Sequence, residues 1–213
     1  MIATILGAIG TTLGVLRAWP QVRGIVGRRE TAGVSVHTWA LTLLNNASWL
    51  TLGLIITAPP IIISNLLSAA GCIAVLVAIQ RQQPQRLLGR QVGVALAGAA
   101  LVGLTSLGGA GALTVLATTL AVSMFLPQLV RVLRSGAAGV SPATWLVTAI
   151  SSAVWILYAL ALGRPSIGAC HLVIMPASLV IAHRARRQPV CDDTDTSVPA
   201  RQGSVRSVPV EST

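Results

Sequence analysis

The chain has 213 residues, 54% hydrophobic and 9% charged, with 15 basic residues, all arginine, against five acidic ones and a formal net charge of +10. A soluble domain carries about a quarter charged residues, so this composition excludes an ordinary soluble globule, and a mean hydropathy of +0.78 agrees. The basic excess does not point to nucleic acid, because the arginines fall between apolar runs with no aromatic residues interleaved.

Apolar runs cover residues 2–22, 37–57, 60–80, 91–109, 112–133, 142–162 and 165–183. A helix crossing roughly 30 Å of hydrocarbon needs about 20 mostly apolar residues, so the pattern predicts seven transmembrane spans. The first run opens "MIATILGAIG" with no basic residue before Arg17. It lacks the basic region of a signal peptide and is expected to be retained. It ends in "RAWPQVR". The second run follows "GVSVHTW" and carries Asn46 and Trp49; the third follows the prolines at 59 and 60 and carries Asn65. The fourth, "QVGVALAGAALVGLTSL", is separated from the fifth at "GGAG" (108–111). The fifth ends in "LPQLVR", the sixth follows "GVSPATW" and carries Ser152 and Trp155, and the seventh follows "GRPS" and carries His171. Glycine and proline supply the punctuation. Residues 188–213 are polar, rich in Pro, Ser and Thr, without apolar period, and are expected to form a disordered cytoplasmic tail.

Charge tests the count. Arg23, Arg28 and Arg29 follow span one; Arg81, Arg86 and Arg90 follow span three. Arg131 and Arg134 close span five, and Arg184, Arg186 and Arg187 follow span seven. The opposite loops hold only Arg164. With the N-terminus outside, every arginine cluster is cytoplasmic, which an even number of spans would not give. The lysine-free, alanine-rich usage points to a GC-rich bacterial genome, and the expected location is the bacterial cell (inner) membrane. The acidic residues are Glu30, Asp192, Asp193, Asp195 and Glu211, so none lies inside a span.

An internal repeat relates the spans. With Gly33 set against Gly139, an offset of 106, "GVSVHTW" meets "GVSPATW", Trp49 meets Trp155, Pro59 meets Pro165 and Leu66 meets Leu172. Pro20-Gln21 meets Pro127-Gln128 with one residue of slippage. Spans one to three and five to seven therefore read as two copies of one unit. Span four has no partner; it returns the chain so that the second copy starts on the same side, making the copies parallel repeats about an axis along the membrane normal. The segments are 1–83, 84–111 with the linker helix, 112–187 and the tail.

A three-span unit with Pro-Gln in its first helix resembles the PQ-loop superfamily. The 3+1+3 order resembles the SWEET sugar transporters, and each half resembles a SemiSWEET. The resemblance implies an all-α membrane protein with two parallel three-helix repeats joined by a linker helix. It implies transport of small sugars, mono- or disaccharide, by facilitated diffusion with alternating access, without cofactor or metal, by a monomer or homo-oligomer in the bilayer.

Particular residues suit that work. Proline inside a helix removes a donor and clashes with the preceding turn, so Pro20 and Pro127 are either hinges of an inner gate or static kinks. Gln21 and Gln128 can bond the carbonyls the prolines free, or bond across the gate. The resemblance implies two such prolines per repeat; Pro142 fits in the second copy, but Val36 stands at its place in the first. Trp49 and Asn65 are 16 residues apart, as are Trp155 and His171. At about 1.5 Å per residue each pair can sit at similar depth on neighbouring helices. An indole offers a flat face to sugar C–H groups, and an amide offers both donor and acceptor to hydroxyls. The resemblance carries a sugar-binding role to Trp49, Asn65 and Trp155, with His171 where a second Asn would stand. The alternatives are interfacial anchoring for the tryptophans and interhelical bonding for Asn65. Asn46 and Ser152 lie one turn before the tryptophans on the same face. Trp39 and Trp145 begin their spans at the interface, and His37 and His183 are expected to be inert.

The alternative function is a proton-coupled carrier of amino acids or another small metabolite, with His171 as the proton site. A peptide receptor ranks lower because receptors of that type need charged groups in the cavity to hold peptide termini, and the cavity residues read here are uncharged. Enzyme chemistry is not expected: there is no nucleophile–base set, no carboxylate pair, and Cys72, Cys170 and Cys191 lack metal-ligand spacing.

Overall fold

The computed structural model describes residues 1–28, 36–82, 84–137 and 140–187; the glycines at 33 and 139 and the tail from 188 lie outside the described residues. Seven α-helices follow in chain order: α1 (Ile2–Arg28), α2 (Val36–Ile55), α3 (Pro59–Gln82), α4 (Pro84–Leu107), α5 (Gly109–Ser135), α6 (Pro142–Ala161) and α7 (Ala169–Arg187). A 3-10 turn, Pro165–Gly168, leads into α7. Proline opens α3, α4, α6 and the 3-10 turn, where its missing N–H costs no helical hydrogen bond.

Among the described residues four segments are long and apolar enough to cross a membrane: Pro59–Arg81, Gly109–Ser135, Pro142–Ala161 and Pro165–Arg187. α2 has the length but is not among them; Asn45 and Asn46 stand at its middle. The helices keep the order of the apolar runs but extend beyond them. α1 continues past Pro20 to Arg28, and α4 begins at Pro84 rather than near 91. Arginine-bearing turns continue a helix outside the hydrocarbon, where water can meet them, so hydropathy alone ends it early.

The helices close into a ring. α1 packs on α3, α3 on α2, α2 on α5, α5 on α7, α7 on α6, and α6 returns to α1. α4 lies against α2 and α5, with a smaller contact to α3. The order α1–α3–α2 thus recurs as α5–α7–α6. The core runs across this ring, from Trp49, Leu52 and Ile61 through Leu113, Ala117 and Ala121 to Tyr158, Cys170 and Ile174. A second cluster joins Val132, Ala137, Ile181 and Ala185.

Two turns have the same backbone. After α2, the N–H groups of Ile56, Thr57 and Ala58 donate to the carbonyls of Leu52, Leu54 and Gly53. After α6, those of Leu162, Gly163 and Arg164 donate to Tyr158, Leu160 and Ala159, each partner 106 residues on. The pivot is left-handed in both, with φ of 52° at Thr57 and 68° at Gly163. Glycine adopts that conformation freely, whereas threonine pays for it.

Candidate functional site

The turn after α2 folds α3 back beside it, and the turn after α6 does the same for α7. Trp49 is six residues from the end of α2 and Asn65 six from the start of α3, which puts each about 9 Å inside its helix. Trp155 and His171 stand at the same separations from Ala161 and Pro165.

In the second triplet the expected residues form one cluster. The Trp155 indole and His171 imidazole are nearly parallel, 9° apart with centroids at 6.4 Å. His171 Nδ1 lies 3.3 Å from Ser152 Oγ, the proton's owner depending on the tautomer. Tyr158 meets Trp155 edge-on at 5.2 Å. α1 supplies the backing: a Cβ on Gly10 would sit 2.9 Å from Trp155 Cε2, so only glycine lets the indole lie this close to the backbone.

The first triplet is wired differently. Trp49 is buried in the core. Asn46 is buried and its Nδ2 donates to Cys72 Sγ at 3.6 Å, a link between α2 and α3. Asn65 Nδ2 donates to its own helix, to Ile61 O at 2.8 Å, with Ser64 Oγ at 3.4 Å. No bond of Asn65 to another helix is seen among the described residues, so the interhelical alternative has no support here. Asn46 and Ser152, matched in sequence, therefore have different partners. Ser178, at the place of Cys72, is fully buried and its hydroxyl has no partner among the described residues.

The prolines also differ in place. Pro127 is inside α5 and exposed. Gln128 is half-buried, with no hydrogen bond among the described residues. Pro20 lies within α1, but its side chain and that of Gln21 lie outside the described residues. Pro142 opens α6 next to the cap Ser141, whose Oγ accepts from Thr144 N at 3.4 Å. The interior-kink argument that applies to Pro20 and Pro127 does not extend to that position. Pro176, inside α7, is a third interior proline that the repeat did not reveal, because Ala70 stands at its place in the first copy.

Trp145 is half-buried and packs edge-on with Phe125 at 5.9 Å. His37 and His183 are exposed. Among the described residues no group of His, Cys, Asp or Glu can hold a metal. Tyr158, Gly7 and Gly10 were missed as contributors; the signal was small residues spaced along the first span, which hydropathy does not register. A cavity of about 320 Å³ lies elsewhere, at the end of the bundle that carries the two matched turns.

The cluster in the second triplet combines a flat aromatic platform, a hydroxyl and an imidazole, with no carboxylate among the described residues. Such a set suits a small hydroxylated ligand. No protein-family model matches the chain, and no curated protein matches it. Its structure is similar to the 3.7 Å resolution structure of a eukaryotic SWEET transporter, with a TM-score of 0.68 over 88% of this chain and 100% of that one. The chain has the SWEET fold. The two sequences are 17% identical, so the likeness is one of fold. The SWEET fold and the four long apolar segments together make this an integral membrane protein.

Proposed function

We propose that the protein carries small sugars, mono- or disaccharide, across the membrane by facilitated diffusion with alternating access. The observation that carries this reading is the stack of Trp155 on His171 with Ser152 beside it, at positions the sequence matches to Trp49, Asn65 and Asn46. An indole face and neutral donors and acceptors are what a sugar needs. The absence of acidic residues from every span removes the usual carboxylate of a proton-driven carrier. The structure to which this chain is similar is that of a SWEET transporter. In this reading residues 1–83 and 112–187 are two copies of one three-helix unit, 84–111 links them, and the arginine-rich end is cytoplasmic with the N-terminus outside. Pro20 and Pro127 flex the inner gate.

The test is uptake of radiolabelled glucose and sucrose into proteoliposomes, with and without an inward proton gradient. Uptake indifferent to the gradient and lost in Asn65→Ala supports the proposal. No sugar flux in correctly folded protein contradicts it. The second reading, a proton-coupled carrier of amino acids or another small metabolite, is favoured by the placing of a titratable imidazole in the cluster. It predicts flux that follows the proton gradient and is lost in His171→Ala.

A further inference from the structure

The two faces that join the triplets are closed differently, and the difference falls on matched positions. Where α1 meets α6, Tyr158 and Pro60 press on Gly7 so closely that a Cβ there would collide with the proline. Where α2 meets α5, the corresponding residues are Leu52, Ser166 and Thr114, and all three line the cavity of about 320 Å³. Leu52 takes the place of Tyr158 and Ser166 that of Pro60, each at the offset of 106; Thr114 takes the place of Gly7 at the offset of 107 shared by the Pro-Gln pairs. The fourth change is in charge. Arg164 lines the cavity, whereas its counterpart Ala58 is buried.

Arg164 is fixed at its root. Its N–H donates to Ala159 O at 2.9 Å and its carbonyl accepts from Ile167 N at 3.1 Å. The side chain is exposed. No carboxylate side chain is present among the described residues; the five acidic residues, Glu30 and those from 192 on, lie outside them. The cavity thus combines a permanently charged planar donor, the Ser166 hydroxyl and an apolar wall of Leu52, Ile56 and Ile167. A guanidinium matches a carboxylate in a two-pronged bond. The wall suits a small C–H-bearing body, and the volume is at the lower end for small-molecule sites.

We propose that this cavity is a binding site for a small hydroxylated carboxylate, of the sugar-acid class, held by Arg164 and Ser166 at the mouth of the α2–α5 face. Leu52 is one turn beyond Trp49 on α2, so the ligand is stationed above that tryptophan. The site rests on the transport reading only for its purpose, as a selective mouth; binding is measured without transport.

The experiment is equilibrium binding of radiolabelled glucuronate and glucose to the full chain in phosphatidylcholine nanodiscs. Glucuronate is expected to bind about tenfold tighter than glucose, the worth of one charge-assisted hydrogen bond. Arg164→Gln, at an exposed position, removes that preference. Leu52→Tyr, which restores the packing of the opposite face, lowers binding of both ligands. Gly14→Ala, where nothing lies within 4 Å of the added Cβ, leaves the preference in place. Equal affinities in the wild type, or a preference that survives Arg164→Gln, overturn the proposal. Displacement by inorganic phosphate at equal concentration overturns the sugar-acid assignment, and displacement by added phosphatidylglycerol assigns the arginine to lipid. Arg164-dependent glucuronate binding in a protein that moves no sugar would sink the transport reading and leave this site standing.

Discussion

Gly10 and Trp155 show how closely the candidate site depends on single atoms. With the indole 2.9–3.2 Å from where a Cβ would be, Gly10→Ala must push Trp155 aside or push α1 away. Overpacking of this kind costs about 1–3 kcal/mol. Gly10→Ala is therefore expected to lower the thermal midpoint and to reduce sugar flux, whereas Gly14→Ala, where nothing lies within 4 Å, changes neither. Equal effects of the two would remove the backing role assigned to Gly10. Ser152 offers a milder test. Ser152→Ala deletes one hydrogen bond to His171, worth about 1 kcal/mol. It is expected to raise KM for sugar with little loss of folding, read by flux against concentration. The pairing of Trp155 with His171 was legible from their spacing and matched depth. The partner of Asn46 was not, because Cys72 sits in an apolar run and reads as one more small hydrophobe.

At the scale of the helix, proline position separates hinge from cap. Proline in a helix interior costs about 3 kcal/mol relative to alanine, whereas at the first position it costs almost nothing. Pro127→Ala should straighten α5, raise thermal stability and slow flux, while Pro142→Ala should leave both nearly unchanged. Equal effects of the two on flux would mean that Pro127 does not act as a hinge. Most of the helical pattern was readable because apolar length and Gly or Pro punctuation agree, as at Gly108, where the break falls within the expected "GGAG". What was not readable was the early start of α4 and the proline inside α7. Arg86 and Arg90 look like loop to a hydropathy scale, although Pro84 before them is a common helix opener. Pro176 has no counterpart in the first copy, so a repeat argument passes over it.

Across the whole molecule, charge is sorted by end. Gly7 of α1 meets Pro60 and Tyr158, and the cavity joins the end of α2, the start of α5 and the turn after α6. These contacts gather the turns at one end, where Arg164 is the one arginine whose side chain is described. Arg23, Arg81, Arg131, Arg134, Arg184, Arg186 and Arg187 are exposed toward the other. In the proposed topology, which follows the positive-inside rule, that second end is the cytoplasmic one. In a background with Cys191 replaced by Ser, an impermeant maleimide added to intact cells should label Arg164→Cys and spare Arg134→Cys; the opposite pattern would invert the topology. The proposed repeat is read from matching tryptophans and prolines, and two turns have hydrogen bonds 106 residues apart. The ring order and the different closure of the two inter-triplet faces were not, since both depend on which helix meets which. The central claim is that one site is exposed to each side in turn, and counterflow tests it most directly. Proteoliposomes preloaded with unlabelled glucose should take up external radiolabelled glucose faster than empty ones and transiently above equilibrium. Uptake unaffected by preloading would describe a pore, or no sugar path at all, and would contradict alternating access.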